Sequence, residues 1–178
     1  MGVDPGTNLL GYAILEVDGR ALRVVELGVI KLGHLESHQL KLKRIFEKLQ
    51  SLIDSYRPDE MAIEAPFYGK NVQSMLKLGR AQGVAMAAGI TKGLHITEYS
   101  PKKVKLAVTG NGNAAKEQVA AMLQQILKVD LQGQTLDATD ALGVALCHHY
   151  QASNPLGRGK RYDGWTAFIK DNPDKVRE

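Results

Sequence analysis

The sequence predicts one α/β domain with a mixed five-stranded sheet flanked by helices. Its first third carries short apolar runs joined by a hairpin signal, which is typical of antiparallel strands. Beyond residue 60, short apolar strands alternate with helical segments, as they do where crossover helices join parallel strands. The 178 residues are enough for one domain with a sizeable core, and no second domain is needed.

The first strand is predicted to be very short. Only three residues precede Asp4, and the turn-forming residues 5–8 follow it. We expect either a truncated first strand or a protein that begins earlier than this sequence. A truncated strand would hold Asp4 less rigidly than a complete one.

A hairpin and a helix follow. Residues 10–16 alternate loosely between apolar and polar, Asp18-Gly19 is a hairpin turn signal, and residues 21–32 form the returning strand. Apolar residues then recur at helical spacing over 37–56. Ser37 is a candidate N-cap for this helix, and Pro58 closes it.

The rest of the chain contains two more predicted strands and four more predicted helices. Short apolar runs predict the strands, and cap residues or helical spacing predict the helices. The strands are 60–65 and 94–99, and the helices are 72–91, 101–108 with Ser100 as N-cap, 114–128 with Asn113 as N-cap, and 137–150.

The composition excludes several classes of protein. The net charge of +4 suits a polyanionic partner without requiring one. The single cysteine, Cys147, excludes an internal disulfide and a cysteine-based zinc site, and we interpret it as a core residue. No apolar run is long enough to span a bilayer, and no leader is recognisable. We therefore expect a cytoplasmic protein without a membrane partner.

Four carboxylates occur where predicted elements begin or end. Asp4 and Glu64 end two strands, and Asp137 and Asp140 share one face of the first turn of the last helix. Parallel strands open at the same sheet edge, where α/β sheets bind ligands. Each aspartate also has an ordinary interpretation: Asp137 could cap its helix, Asp140 could suit the helix dipole, and Asp4 could form an Asx turn. A glutamate at the end of an apolar strand is harder to explain.

Four acids that converge must protonate or hold cations. Two carboxylates about 4 Å apart repel by roughly 4 kcal/mol at an effective dielectric constant near 20. Several such pairs would cancel the stability of a typical domain. All-oxygen ligands favour Mg²⁺ or Mn²⁺ over zinc, and two such ions can hydrolyse a phosphodiester.

Four segments in order resemble blocks of the RuvC family, the bacterial Holliday-junction resolvases of the ribonuclease H-like superfamily. The segments are GVDPGTNLLGYAIL, AIEAPFYGKNVQSMLKLGRAQG, EYSPKKVKLAVTGNGNAAKEQV and DATDALGVALCH. The resemblance covers about residues 2–150 and implies a ribonuclease H-like nuclease domain over 1–152, followed by a basic tail over 153–178. It also implies a Mg²⁺-dependent endodeoxyribonuclease that nicks opposed strands of four-way DNA junctions in recombination and repair.

The resemblance assigns the same roles to all four acids. Asp4, Glu64, Asp137 and Asp140 would be the catalytic residues and the ligands of two Mg²⁺ ions per site, with Mn²⁺ able to substitute. Some family members carry His where this chain has Asp137, so we expect an all-carboxylate site here.

DNA contacts are also implied by the resemblance. The loop after Glu64 matches the junction-binding loop, in which Phe67 would stack on an unstacked base and Tyr68 is a second candidate. Both rings could instead lie in a local hydrophobic cluster. The lysines that match or neighbour the family's DNA path are Lys70, Lys102, Lys103, Lys105 and Lys116. Any one of them could be ordinary solvated surface, but together they would form a phosphate track.

The predicted helix over 72–91 matches the element that forms the family's homodimer. Its small residues could instead serve ordinary packing of a helix on the sheet. A branch-migration motor is a further partner implied by the resemblance. The tail over 153–178, with a short helical turn predicted over 165–169, could contact DNA, contact a partner or follow the domain surface. Its candidate contact residues are Arg158, Lys160, Arg161, Trp165 and Lys170.

Two alternatives remain. The stretch DPGTNLLGYAI also resembles the first phosphate loop of actin-like sugar kinases and chaperone ATPases, but that fold needs a much longer chain and a second phosphate loop. The other alternative is a related nuclease with a different branched substrate, or a protein that binds junctions without cleaving them. The presence of all four acids argues against a non-cleaving protein.

Overall fold

A computed structural model describes residues 1–66 and 71–153. Over these ranges the chain forms five strands and five helices. The strands are β1 (Gly2–Asp4), β2 (Leu9–Asp18), β3 (Ala21–Lys31), β4 (Glu60–Glu64) and β5 (His95–Tyr99). The helices are α1 (His38–Tyr56), α2 (Val72–Ile90), α3 (Pro101–Thr109), α4 (Lys116–Leu127) and α5 (Leu136–Ser153).

The strands form one mixed sheet in the order β3-β2-β1-β4-β5. The pairs β1–β2 and β2–β3 are antiparallel, whereas β4 is parallel to both β1 and β5. Asp4 is the partner of Gly11 on β2, and Val3 is the partner of Ile63 on β4. The predicted mixed five-stranded sheet is confirmed, and the carboxyl ends of β1, β4 and β5 share one edge.

Helices cover both faces of the sheet. On one face, α1 and α2 pack on each other and on a core that includes Val3, Leu10 and Ile63. On the other face, α5 lies on β1 and β2, and α3 and α4 pack against α5. None of the described helices is both long and apolar enough to cross a membrane.

The predicted caps of two helices are confirmed and that of a third is wrong. Ser37 accepts a hydrogen bond from the Leu40 amide at 3.2 Å, and Ser100 accepts one from the Lys103 amide at 3.3 Å. Asn113 was expected to cap a helix beginning at residue 114, but α4 begins at Lys116.

A local turn explains this difference. The backbone N–H of Asn113 donates to the side chain of Asn111 at 3.0 Å, so residues 111–113 form a turn that competes with the helix. The N–H of Ala115, just before α4, donates instead to the side-chain oxygen of Gln118 at 2.9 Å. The helix therefore starts two residues later than the cap residue suggested.

Two glycines let the backbone of α5 lie directly on the sheet. A Cβ atom on Gly11 would collide with the carbonyl group of Asp137, and one on Gly2 would collide with the backbone of Ala141 and Ala145. Any larger residue at these positions would force α5 away from β1 and β2. Because Gly11 is the ladder partner of Asp4, this contact also sets the start of α5 beside the end of β1.

We expect Gly11→Ala to lower the free energy of unfolding by on the order of 2 kcal/mol, because the new methyl group meets backbone that cannot rotate away. Urea unfolding of the variant measures this loss. Gly33→Ala is the matched control, since a Cβ there would meet only Asn8 atoms at 3.9 Å. Equal stability of the two variants would contradict the close packing of α5 on β2.

Candidate active site

Asp4 ends β1 in the middle of the sheet, and its following loop is held by hydrogen bonds. The Lys41 ammonium of α1 donates to the Thr7 carbonyl at 2.9 Å and to the Asn8 side chain at 3.1 Å. The Asn8 carbonyl accepts from the amides of Leu32 and Gly33 at 2.8 and 3.0 Å. The loop after Asp4 is therefore tied both to α1 and to the end of β3.

Glu64 ends the neighbouring strand β4 at the same edge. Asp4 and Glu64 line a cleft of about 130 Å³ that is closed on one side by Leu78 and Gln82 of α2. Gln82 is buried, and its amide nitrogen donates to the Glu98 carboxylate at 2.6 Å. Sequence reasoning missed Gln82, although a polar residue on the buried stripe of α2 was a signal for it.

Asp137 and Asp140 lie in the first turns of α5, and both are half-buried. Asp137 is not the helix cap. The Thr135 hydroxyl accepts from the Ala138 amide at 3.4 Å, and the Thr135 carbonyl accepts from the Thr139 amide at 3.2 Å. Since Thr135 supplies the acceptors at this helix end, the capping interpretation of Asp137 is wrong.

The acids are close enough together to change the ionisation of Asp4 and Glu64. Burial raises the pKa of Asp4 to about 8, and the nearby charges of Glu64, Asp140 and Asp137 contribute in that order. Burial and the charge of Asp140 raise the pKa of Glu64 to about 7. The structure therefore brings the sequence-predicted acids into one electrostatic cluster.

Lys116 is the main counter-charge of this cluster. Its ammonium lies 2.5 Å from a carboxylate oxygen of Asp140, and it opposes the raised pKa values of Asp4 and Glu64. Burial alone would lower the pKa of Lys116, but the hydrogen bond and charge of Asp140, together with the charges of Asp4 and Asp137, outweigh it and raise the pKa. Within residues 1–66 and 71–153, no three His, Cys, Asp or Glu side chains are arranged to hold a metal ion.

The other lysines predicted to contact DNA are divided between two places. The charge of Lys105 acts on Glu64, which puts it beside the acids. Lys102 and Lys103 are exposed on α3, and the Lys103 ammonium lies 5.0 Å from the centre of the Tyr99 ring. Three predicted contacts in the loop after Glu64 lie outside the described residues, and these are Phe67, Tyr68 and Lys70.

Two groups far along α5 take no part in the acid cluster. His148 is hydrogen-bonded to the Tyr99 hydroxyl at 2.9 Å and to the Glu60 carboxylate at 2.5 Å, at the amino end of β4. Cys147 is fully buried, so its interpretation as a core residue is confirmed. The candidate residues of the tail, including the turn over 165–169, lie outside the described residues.

A family model described as crossover junction endodeoxyribonuclease RuvC matches residues 1–148. The chain belongs to the RuvC family. A RuvC protein of Cytophaga hutchinsonii is 57% identical over 177 residues, which cover 99% of this chain and 87% of the relative. One from Porphyromonas gingivalis is 55% identical over 181 residues, covering 99% and 96% of the two chains.

Solved structures agree with membership of the RuvC family. Thermus thermophilus RuvC in complex with a Holliday junction substrate is 32% identical and has a TM-score of 0.79, covering 85% of this chain and 92% of that one. The yeast mitochondrial Holliday junction resolvase Ydc2, at 13% identity and a TM-score of 0.60, shares the fold over 85% of this chain and 80% of its own. The predicted family and its ribonuclease H-like fold are both confirmed.

The crowded acids predict a pH-dependent stability. The folded pKa of Asp4, about 8, lies above its ordinary value of 3.8, so this group's contribution is fully present below pH 4 and is lost as the pH rises to about 8. In a buffer that contains a metal chelator, the melting temperature of the wild-type chain should be lower at pH 8 than at pH 6. Asp4→Asn should reduce that fall, with a gain at pH 8 on the order of a few kcal/mol.

Thermal unfolding of both proteins at the two pH values measures this effect. The matched control is Asp130→Asn, because an asparagine there still accepts the hydrogen bond that Asp130 receives from the Gln132 amide. Equal pH dependence in Asp4→Asn and in Asp130→Asn would mean that Asp4 is not crowded by the other acids.

Proposed function

We propose that this chain is a crossover junction endodeoxyribonuclease that resolves four-way (Holliday) DNA junctions by paired nicks in homologous recombination and repair. The supporting observation is the cluster of four carboxylates at one sheet edge of a chain that belongs to the RuvC family. The name of the family and the junction bound by its Thermus thermophilus member specify the substrate.

The cofactor we propose is Mg²⁺, with two ions per site and Mn²⁺ able to substitute, held by Asp4, Glu64, Asp137 and Asp140. The chemistry of the donor set fits, because it offers only anionic oxygens, which are the ligands that Mg²⁺ prefers, although no three of these described side chains are already arranged around one ion. The raised pKa values of Asp4 and Glu64 fit as well, since cations relieve the repulsion that contributes to them. When bound, such ions activate a water and stabilise the leaving oxygen of a phosphodiester.

The protein's own residues position this chemistry. Asp4 and Glu64 lie on adjacent parallel strands, so the sheet fixes their separation. Asp137 and Asp140 lie at the start of α5. The packing of the α5 backbone on Gly2 and Gly11 of the sheet sets their positions relative to Asp4 and Glu64. Lys116 balances Asp140 and is placed to exchange that carboxylate for a DNA phosphate.

DNA contacts on the surface around the acids belong to the same proposal. Lys105 and Lys116 lie at the acids, and Lys102 and Lys103 extend the positive surface along α3. By the resemblance, Phe67 would stack on an unstacked base, with Tyr68 and Lys70 beside it.

The resemblance supports three further proposals. We propose that the chain is divided into a nuclease domain over 1–152 and a basic tail over 153–178. We also propose that a branch-migration motor is a partner and that the protein is cytoplasmic.

The function is tested by incubating the chain and Mg²⁺ with a mobile four-way junction, a flap and a plain duplex. We expect paired nicks in the junction and little cutting of the other two. Asp140→Asn should abolish cleavage, because the ligand set loses a charge, while leaving junction binding within a few fold of wild type.

Each alternative has its own result in this experiment. Equal cutting of all three DNAs would exclude a junction-selective enzyme and favour a related nuclease. Tight junction binding without cleavage in either Mg²⁺ or Mn²⁺ would favour a non-cleaving protein. Cleavage by Asp140→Asn would show that the metal assignment is wrong.

The homodimer is proposed on the exposed face of α2. Val72, Leu76 and Ile90 are large apolar residues with 67%, 58% and 59% of their surface exposed. Gly79 and Gly83 on the same helix have open space around them, which would let a second backbone approach closely. Of the other small residues, Ala87 is half-buried. Ala81, Ala85 and Ala88 are buried in the core, so ordinary packing explains these three.

We expect Leu76→Asp to shift the chain from dimer to monomer, because a charge would have to be buried in the interface. Sedimentation velocity at micromolar concentration measures the change. Val17→Asp is the control, since Val17 is comparably exposed on the hairpin. A wild-type chain that sediments as a monomer at high concentration would contradict the proposed dimer.

A further inference from the structure

A groove of about 420 Å³ runs between α1 and β3, which is the strand at one edge of the sheet. Its polar lining consists of Tyr12, Lys31, His34, Arg44, Lys48 and Ser51. The Tyr12 ring fits there because its strand partner is Gly28, where a Cβ would meet the phenol oxygen at 2.9 Å. No Asp or Glu is among the described residues that line the groove.

The basic side chains of this groove are free to meet a ligand. Lys31, His34, Arg44 and Lys48 are all exposed, and none of them takes part in an ion pair within the described ranges. By contrast, Lys43 on the same helix pairs with Glu47 at 3.7 Å. The groove thus combines three permanent cations and a histidine with two hydroxyl groups, which are donors suited to phosphate oxygens.

Two acids near the groove are already engaged, and one of them is Glu47, which lies beside His34 and Arg44 and pairs with Lys43. The other is Glu26. The charge of Glu26 helps, after burial, to raise the pKa of Tyr12, which places this acid beyond the phenol. The Glu26 carboxylate accepts a hydrogen bond from Tyr56 at 3.3 Å. Glu26 therefore limits the positive surface at the end of the groove that is distant from Lys31.

The groove begins near the catalytic edge of the sheet. Lys31 is the ladder partner of Leu9, and Gly11, two residues further along β2, is the partner of Asp4. Two strand spacings and two residues of rise put the Lys31 and Asp4 backbones about 12 Å apart. Arg44 and Lys48 are one helical turn apart on α1 and extend the basic surface by about 6 Å.

We propose that this groove binds the sugar-phosphate backbone of a DNA arm, starting three to four base-pair steps from the phosphate that is cut. The distance follows from about 12 Å at about 3.4 Å per step. The inference rests on the proposed function for the position of the cut, but not for the binding of DNA itself. It identifies a second contact surface, separate from the lysines of α3 and α4.

An acidic peptide is the competing occupant, and the geometry favours DNA. The basic groups follow a line that leads away from the acids that would cleave DNA, and a DNA arm would leave the site along such a line. A groove built for a peptide would not need to begin at that edge.

The test compares Arg44→Gln/Lys48→Gln with Arg23→Gln/Lys92→Gln. Both double variants remove two positive charges, but the control pair lies at the other end of the sheet, where Arg23 and Lys92 each pair with an acid. Binding is measured on a four-way junction and on a plain duplex over a range of salt concentrations. A second junction carries uncharged methylphosphonate linkages at the third to eighth steps from each cut.

The groove variant should bind the junction about tenfold more weakly. Its negative slope of log K against log salt should become shallower by about 2. The control pair should change affinity by less than about twofold. On the methylphosphonate junction, the groove variant should match wild type, since its phosphate partners are already neutral.

Three results would overturn the proposal. The first is equal binding by the groove and control variants, and the second is a tenfold loss that persists on the methylphosphonate junction. The third is an octaglutamate peptide that binds wild type but not the groove variant, with DNA affinity unaffected. If wild type cleaves no junction, the proposed function fails, and the comparison on plain duplex still decides whether the groove binds DNA.

Discussion

The contact of the α5 backbone with the sheet is the constraint on which the rest of the site depends. Gly11 leaves room for the Asp137 carbonyl, and Gly2 leaves room for the turns around Ala141 and Ala145. These two contacts, about one to two turns apart, fix the direction of the helix as well as its start. Because Gly11 is the partner of Asp4, the same glycine that admits the helix sets its acids beside the end of β1.

This packing holds carboxylates closer than they would stay in water. The raised pKa values of Asp4 and Glu64 reflect the free-energy cost of this crowding, and the charge of Lys116 offsets only part of it. The free energy that offsets this repulsion comes from burial of the apolar core on both faces of the sheet. The core keeps the strand ends and α5 in place. Acids held in this way favour the binding of cations, because each bound charge relieves repulsion that folding has imposed.

The order of the elements and the four acids could be predicted from sequence, because turn and cap residues mark the strand and helix ends where these acids lie. Contacts that depend on tertiary proximity could not. The Lys116–Asp140 pair joins residues 24 positions apart, and nothing in either segment indicates it. The late start of α4 depends on whether Asn113 caps a helix or joins a turn, and both are common for asparagine.

The short β1 raises the question of what keeps Asp4 in position. β1 has only three residues, but it pairs with β2 on one side and with β4 on the other. The hydrogen bonds to these two neighbours restrain β1 despite its short length. Lys41 then ties the next loop to α1, and Asn8 ties it to the end of β3. α1 and the end of β3 also form the basic groove. A DNA arm bound there would therefore contact the same elements that hold the Asp4 loop.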